Sequence, residues 1–292
     1  MICEIVKYSK KPKFISHFNL NFSYPMLKHA LECARESIKA KTSFMLFLDN
    51  KNKKVIDEGH EFIFHYFNKE NYKYHKGVQS HENNDPLLPP YPPFCEVAHI
   101  KDGADHFAFI NLYQTSLGHI VISCANPHAK QNEHLNESDC AALSQVICAY
   151  ENKGIAYFNH GLESGCSQMH KHMQYSTLEY QPLLKEMCEK KYSKSTLGIK
   201  YFSVKLNQIS PSEIYEAYQE LRKEASWQGS YNFIISNNYA VFVPRKLSIH
   251  PLGISLNSLG VCGHYFVYED SNPEIEKKPL RILRDSCIIS NG

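Results

Sequence analysis

One segment of the chain, residues 159–174 (NHGLESGCSQMHKHMQ), brings together side chains that can do chemistry. His170, His172 and Gln174 occupy alternate positions, so on a β-strand their side chains share one face. An imidazole near neutral pH can act as a nucleophile, a general base or a metal ligand. The same alternation is also typical of a strand whose polar face meets solvent, so the two histidines alone do not decide the function.

The loop before these histidines favours an anionic ligand. Gly165 lets the backbone approach closely, and the main-chain N–H groups around Ser167 and Gln168 can face an anion. Lys171 is expected to point away from both histidines on a regular strand. The segment therefore predicts an imidazole directed at a phosphorus atom.

Strands and helices that could position this segment follow from local patterns. Apolar and alternating runs predict strands over 44–48, 61–67, 106–113, 119–124, 154–159 and 170–178, and a hairpin of 231–236 and 239–243. Helices are predicted over 25–40, from a cap at Asn136 to Tyr150, and over 211–224 after a capping box of Ser210 and Glu213. Five prolines between residues 83 and 93 exclude a helix or a central strand there. The mixture of elements without strict alternation predicts an α+β fold with an antiparallel sheet.

Composition excludes several classes of protein. A length of 292 residues predicts one or two domains, and 43% hydrophobic with 21% charged residues excludes a disordered chain. The net charge of +2 provides no basic field for nucleic acid, and no apolar run is long enough to span a membrane. We therefore expect a soluble, cytoplasmic protein with neither nucleic acid nor membrane as partner. The ten cysteines form no CxxC pair and are interpreted as reduced core residues, and no Cys and His spacing predicts a metal site.

Three motifs resemble one known family. The run SGCSQMHKHMQ is similar to the HxHxQ transferase branch of the histidine-triad superfamily, and within it to the diadenosine tetraphosphate phosphorylases, also called ATP adenylyltransferases. DPLLPPYPP at 85–93 resembles the family's proline-rich N-terminal motif. YNFIISNNYAVFVPR at 231–245 and LGISLNSLGVCG at 252–263 resemble its C-terminal segment. The likeness extends from about residue 85 to 263, and the first 80 residues match poorly.

The resemblance implies roles for individual residues. His172 would attack the α-phosphate and form a covalent adenylyl-histidine, while a backbone carbonyl or the loop holds its other ring nitrogen as N–H. His170 would orient the site or donate a hydrogen bond, and Gln174 would bind a nonbridging or leaving oxygen. Substrate contacts are implied for Asn111, Asn159, Gly165, Cys166, Ser167, Gln168, Asn232 and Arg245. Asn111 is equally well explained by turn chemistry, and Leu112 stands where the family commonly has a lysine, so a cationic phosphate partner is missing or supplied elsewhere.

The implied fold is a histidine-triad-like antiparallel sheet with flanking helices, in a catalytic region over 1–190 and an adenylyltransferase C-terminal-like region over 191–292. The implied function is cleavage of diadenosine tetraphosphate with phosphate to ADP and ATP, without a required cofactor and with Mg²⁺ only as a companion of the nucleotide. One alternative is another nucleotide-sugar phosphorylase or uridylyltransferase of the same superfamily. A noncatalytic nucleotide sensor is the alternative of a different class.

Overall fold

An eight-stranded sheet, antiparallel throughout, forms the centre of the protein in a computed structural model that describes residues 23–67 and 85–290. The strands of these residues, in chain order, are β1 (Phe44–Met45), β2 (Phe47–Asp57), β3 (His60–Phe67), β4 (Glu96–Ile100), β5 (His106–Ile110), β6 (Tyr113–Gln114), β7 (Ile120–Cys124), β8 (Ile155–His160), β9 (His172–Ser176), β10 (Phe202–Lys205), β11 (Tyr231–Ser236), β12 (Tyr239–Pro244) and β13 (His264–Val267). The helices are α1 (Ser23–Lys39), α2 (Glu137–Ala149), α3 (Leu184–Glu189), α4 (Pro211–Ala225), α5 (Ser258–Val261), α6 (Glu274–Lys277) and α7 (Pro279–Ser286).

Strand order in the main sheet is β10-β12-β11-β8-β9-β7-β5-β4, and every neighbouring pair is antiparallel. A three-stranded sheet, β13-β3-β2, and the parallel pair of β1 and β6 lie outside it. The predicted α+β class with an antiparallel sheet is confirmed. The strand β9, which carries His172 and Gln174 of the HxHxQ segment, lies near the middle between β8 and β7.

Alternation along β9 assigns its side chains to two different cores. Met173 and Tyr175 are buried with α1, α2 and α4 against one face, which we call the helix face. His172 and Gln174 point to the other face, which we call the site face. Tyr157 of β8 lies directly opposite Gln174 on this face and belongs to a second core with the three-stranded sheet and the C-terminal helices. The chemistry-bearing face is therefore covered by the C-terminal part of the chain.

Local signals predicted several element ends correctly. Asn136 caps α2 in a reciprocal capping box with Asp139. The helix α1 covers the segment whose apolar stripe predicted a helix. The hairpin of β11 and β12 turns at Asn237 and Asn238, whose φ angles of 51° and 60° suit the tight turn of a two-residue hairpin. Residues 85–93 form a loop, as their prolines require, whereas residues 83 and 84 lie outside the described residues.

Other predictions were wrong in detail. The capping box of α4 is only half formed, because the Glu213 carboxylate accepts from the N–H groups of Asn207 and Gln208 instead of that of Ser210. The strand predicted over 106–113 ends at Ile110, where the chain turns, and β2 runs nine residues beyond the predicted end of its strand at 48. β9 begins at His172, two residues later than predicted.

Among the residues that the structure describes, no helix combines the length and the apolar character needed to cross a bilayer. The nine cysteines at described positions are all free thiols, and five of them are buried.

Candidate active site

His172 presents a lone pair from a buried, neutral ring. It is 3% exposed, and its Nδ1 lies 2.9 Å from the main-chain oxygen of His170. Since a carbonyl oxygen only accepts, Nδ1 carries the proton and Nε2 keeps its lone pair. Burial lowers the pKa of His172 to about 4, against the opposing effect of the hydrogen bond to the His170 carbonyl. The ring is therefore unprotonated at Nε2 near neutral pH, held by a backbone carbonyl as the sequence predicted.

Gln174 directs its amide N–H₂ towards this lone pair. The Nε2 atom of Gln174 is 3.5 Å from Nε2 of His172. Its Oε1 accepts hydrogen bonds from His119 Nε2 at 2.9 Å and from the Tyr157 hydroxyl at 3.0 Å. Because two donors hold the oxygen, the orientation of the carboxamide is determined, and an N–H donor stands beside Nε2 of His172.

His119 is a site residue that sequence reasoning missed. It is 2% exposed, directly precedes β7, and receives hydrogen bonds at Nδ1 from the N–H of Thr115 at 3.3 Å. That contact leaves the proton on Nε2, which is the atom that donates to Gln174. Burial lowers the pKa of His119 to about 4, with the Gln174 contact opposing. The sequence offered one signal for this role: His119 begins the predicted strand 119–124, which was expected to pair in the antiparallel sheet.

His170 acts on His172 through its main chain. Its Nε2 lies 2.8 Å from the Cys124 carbonyl, and its Nδ1 is hydrogen-bonded to the carboxylate of Asp85. Both ring nitrogens of His170 are thus hydrogen-bonded to other groups, so the imidazole of His170 is not the group that contacts His172. Asp85 belongs to the 85–93 loop, which also covers the site face where Leu87 packs on Val121. The motif at 85–93 was noticed in the sequence, but Asp85 was not predicted as a site residue.

Gln131 is a second missed residue, and it joins the two central strands at His172. It is 1% exposed, and its Oε1 accepts from the main-chain N–H of His172 at 2.7 Å. Its Nε2 donates to the carbonyl oxygens of Asn159 and His172, at 2.8 and 3.0 Å. Nothing in the local pattern around residue 131 indicated this contact.

The loop between β8 and β9 is shaped by two glycines with positive φ, Gly161 and Gly165 at 74° and 84°. A Cβ on Gly165 would lie 2.4 Å from the Leu256 carbonyl, so the close approach that this glycine permits is to the C-terminal segment. The Cys166 thiol donates to the Gly161 carbonyl at 3.2 Å, and burial raises its pKa. Ser167 is exposed and Gln168 half-buried, and within the described ranges their N–H groups have no protein acceptor.

Asn159, Asn232 and Arg245 form a buried network that supports this loop. Asn159 Oδ1 accepts from Asn232 Nδ2 at 2.8 Å, and Asn232 also donates to the Ser164 carbonyl at 2.9 Å. Arg245 is 1% exposed, and its five N–H donors meet five acceptors: the Asn232 Oδ1 and the carbonyls of Ser164, Leu247, Leu256 and Ser286. The expectation that Arg245 binds the incoming phosphate does not agree with this geometry, because no donor is left for a ligand.

Asn111 makes the turn contact that its alternative interpretation required. Its Oδ1 accepts from the N–H of Tyr113 at 2.9 Å, and its Nδ2 lies 3.5 Å from Nε2 of His119. Asn111 therefore stands at the edge of the His119 and Gln174 cluster, whereas Asn232 and Arg245 lie beneath the loop.

A cavity of about 390 Å³ adjoins this loop. Its lining consists of Gln131, Asn132, His160, Gly161, Leu162, Glu163, Cys166, Met169, Gln228, Gly229 and Ser230. Within residues 23–67 and 85–290, no three His, Cys, Asp or Glu side chains are grouped as a metal site would require.

The fold and the site define a class of protein. An antiparallel sheet that presents a neutral imidazole and an oriented carboxamide beside a glycine-bounded loop is the arrangement expected of a nucleotidyltransferase of the histidine-triad type. Comparison with known families agrees: residues 26–189 match the Ap4A phosphorylase N-terminal domain, and residues 195–289 match the ATP adenylyltransferase C-terminal domain. Since the first match spans more than half of the chain, the protein belongs to the family of Ap4A (diadenosine tetraphosphate) phosphorylases. The predicted family, fold class and type of enzyme are confirmed, and the likeness begins at residue 26, well before the motif at 85–93.

Solved structures show the same fold. The crystal structure of yeast Ap4A phosphorylase Apa2 is 16% identical, with a TM-score of 0.75 over 92% of this chain and 99% of that chain. Its complexes with Ap4A and with AMP give TM-scores of 0.72 and 0.73, at 16% and 18% identity, each over 91% of this chain and 98% of that chain. No curated protein sequence matches the chain.

Proposed function

We propose that the protein cleaves Ap4A with inorganic phosphate through a covalent adenylyl group on His172. In the first step the Nε2 lone pair of His172 attacks the α-phosphorus, the bond from phosphorus to the polyphosphate oxygen breaks, and ATP leaves. In the second step an oxygen of phosphate attacks the same phosphorus, the P–N bond breaks, and ADP leaves. The first displacement leaves the adenylyl group on the imidazole and the second returns the imidazole to its starting state, which is how covalent catalysis divides one difficult transfer into two.

The observation that carries this proposal is the pair of contacts around His172. The hydrogen bond from Nδ1 to the His170 carbonyl stays available when Nε2 becomes bonded to phosphorus, and it stabilises the positive charge that the ring then carries. Gln174 places an amide donor 3.5 Å from the attacking nitrogen, where an oxygen of the transferred phosphate would lie. An amide at this position donates a hydrogen bond and supplies no general acid, which suits an enzyme whose acceptor is phosphate.

The remaining predicted residues support the transfer in two ways. The N–H groups of Ser167 and Gln168, which have no protein acceptor among the described residues, would bind the anionic oxygens. Asn159, Asn232 and Arg245 hold the loop that carries them. In this proposal Arg245 holds the loop between β8 and β9 in position and does not bind the phosphate.

Intact mass after incubation with Ap4A in the absence of phosphate tests the covalent step. We expect wild type to gain the mass of one adenylyl group and to lose it when phosphate is added, with release of ADP. His172→Ala should show no gain, whereas His128→Ala, at an exposed histidine, should behave as wild type. Wild type that consumes Ap4A without any adduct under these conditions would contradict a covalent intermediate.

Three expectations from the sequence remain predictions in this proposal. Mg²⁺ accompanies the polyphosphate and not the protein, so adduct formation should survive EDTA when turnover is slowed. The enzyme works on free nucleotides and not on nucleic acid. Its location is cytoplasmic.

A further inference from the structure

Lys171 stands between the two histidines in the sequence, but its charge lies on the opposite side of the sheet from the His172 ring. The side chain is 2% exposed, and Nζ lies 2.6 Å from Asp139 Oδ2 and 2.7 Å from the His134 carbonyl. These partners belong to the helix face, as expected from the alternation along the segment. Lys171 therefore cannot contact a phosphate held at His172.

Asp139, the partner of Lys171, is itself held firmly. It is the third residue of α2, and its carboxylate accepts from the main-chain N–H of Asn136 at 2.8 Å and from His106 Nε2 on β5 at 2.9 Å. Asp139 and His106 are each 1% exposed. Burial alone would raise the pKa of Asp139, but the His106 contact and the positive charge of Lys171 outweigh it and lower the pKa. A buried ammonium ion is tolerated only beside such an anion.

The main chain of Lys171 is held on both sides. Its N–H donates to the Ala129 carbonyl at 3.0 Å, and its carbonyl accepts from the N–H of Cys124 at 3.0 Å. The N–H of Lys171 and the carbonyl of His170 belong to one planar peptide group, so the direction of the first determines the direction of the second. That carbonyl is the acceptor for Nδ1 of His172.

We propose that Lys171 is a positioning residue for adenylyl transfer: its ion pair with Asp139 anchors the peptide whose carbonyl holds the His172 imidazole with Nε2 directed at the substrate. The inference rests on the proposed role of His172. Lys171 couples the nucleophile to the N-terminus of α2 and to β5, across the sheet from the substrate.

The test compares two variants that remove this link. Lys171→Met leaves the buried Asp139 carboxylate without its ammonium partner and is expected to fold poorly, whereas the double variant Lys171→Met with Asp139→Asn removes both charges and should fold. For the folded double variant we expect kcat for Ap4A phosphorolysis to fall by about 10²-fold with KM unchanged, since a small displacement of a reacting group costs about that much. Leu143→Ala, in the buried part of the same helix, is the control for loss of stability and should keep the wild-type kcat at a temperature where it is folded.

A titration of the His172 imidazole by NMR gives a reading that a purely structural role would not change. The titratable groups that act on this ring are His170 and Asp85, and both stay intact in the variants. In the double variant the hydrogen bond from Nδ1 to the His170 carbonyl, which raises the pKa of His172, is weakened, so this pKa should fall further below its ordinary value, and the acid limb of kcat/KM should move with it. A folded double variant with wild-type kcat and an unchanged His172 titration would overturn the proposal.

The NMR reading does not depend on turnover. If wild type cleaves no Ap4A, the proposed function fails, yet the His172 titration in the two proteins still decides whether Lys171 positions the ring.

Discussion

The side chain of Gln131 hydrogen-bonds to the main chain of His172, where the pairing between β8 and β9 has ended. The ladder between β8 and β9 ends at the pair of Tyr157 and Gln174, so it does not include His172. The Gln131 carboxamide continues it by binding three main-chain groups: the N–H and the carbonyl of His172 and the carbonyl of Asn159. A side-chain amide has the same donor and acceptor as a peptide group, which is why it can act as a local substitute for a strand.

We expect Gln131→Met to destabilise the protein and to impair catalysis together. Methionine preserves most of the side-chain volume, so the cost comes chiefly from three lost hydrogen bonds at about 1 kcal/mol each, or about 3 kcal/mol of unfolding free energy. At roughly 2 °C per kcal/mol for a chain of this size, Tm should fall by about 6 °C. Because the His172 peptide loses both contacts to Gln131, kcat should fall by about 10²-fold.

Urea unfolding and steady-state phosphorolysis of Ap4A measure the two effects. The matched control is Gln181→Met, which changes a glutamine that is also buried but whose side chain, among the described residues, hydrogen-bonds only to the Leu178 carbonyl. The control should lose little stability and no activity. A Gln131→Met protein with the stability and kcat of wild type would refute the argument that Gln131 holds the nucleophile strand.

Three further predictions concern acceptor choice, the buried arginine and pH. Gln174→His should increase the ratio of AMP to ADP at low phosphate, because an imidazole can move a proton to or from water and an amide cannot; an unchanged ratio in an active variant would remove Gln174 from acceptor choice. Arg245→Lys should lower the unfolding free energy by about 3 kcal/mol, because a lysine has three donors for the five acceptors around this side chain. The KM for phosphate should stay constant. A raised KM for phosphate without loss of stability would instead make Arg245 a phosphate ligand. Between about pH 6.5 and about pH 4, His172 binds a proton in the unfolded chain but not in the folded protein, so the unfolding free energy should fall as the pH falls. This group should account for a loss of about 3 kcal/mol at the lower pH. Urea unfolding measured across this range would contradict the low pKa of His172 if the unfolding free energy did not change with pH. The same direction holds for the other buried histidines with lowered pKa: His65, His119, His160 and His264.

Features that depend on neighbours in the chain could be predicted from the sequence. The alternation of His172 and Gln174 with apolar residues settled which side chains share a face, because successive residues of a strand point to opposite sides. The cap at Asn136 and the turn at Asn237 and Asn238 involve hydrogen bonds or dihedral angles within a few residues. The HxHxQ pattern also carried the resemblance from which the type of enzyme was predicted.

The supporting contacts of the site were decided only by the tertiary structure. Gln131 and Asp85 reach the histidine segment from 41 and 85 residues away along the chain, and no local rule indicates which side chain meets which strand. Arg245 was expected to contact the substrate because its segment resembles the C-terminal segment of the family, yet the fold surrounds it with main-chain carbonyls and the Asn232 amide oxygen, which take every donor. These contacts depend on which strands pair across long stretches of the chain. That pairing is decided by the free energy of packing the whole core and not by any local pattern. The sequence by itself therefore determined the faces of the strand that carries His172 and, through the resemblance, the type of enzyme, and the packing of distant segments determined what holds the His172 imidazole in place.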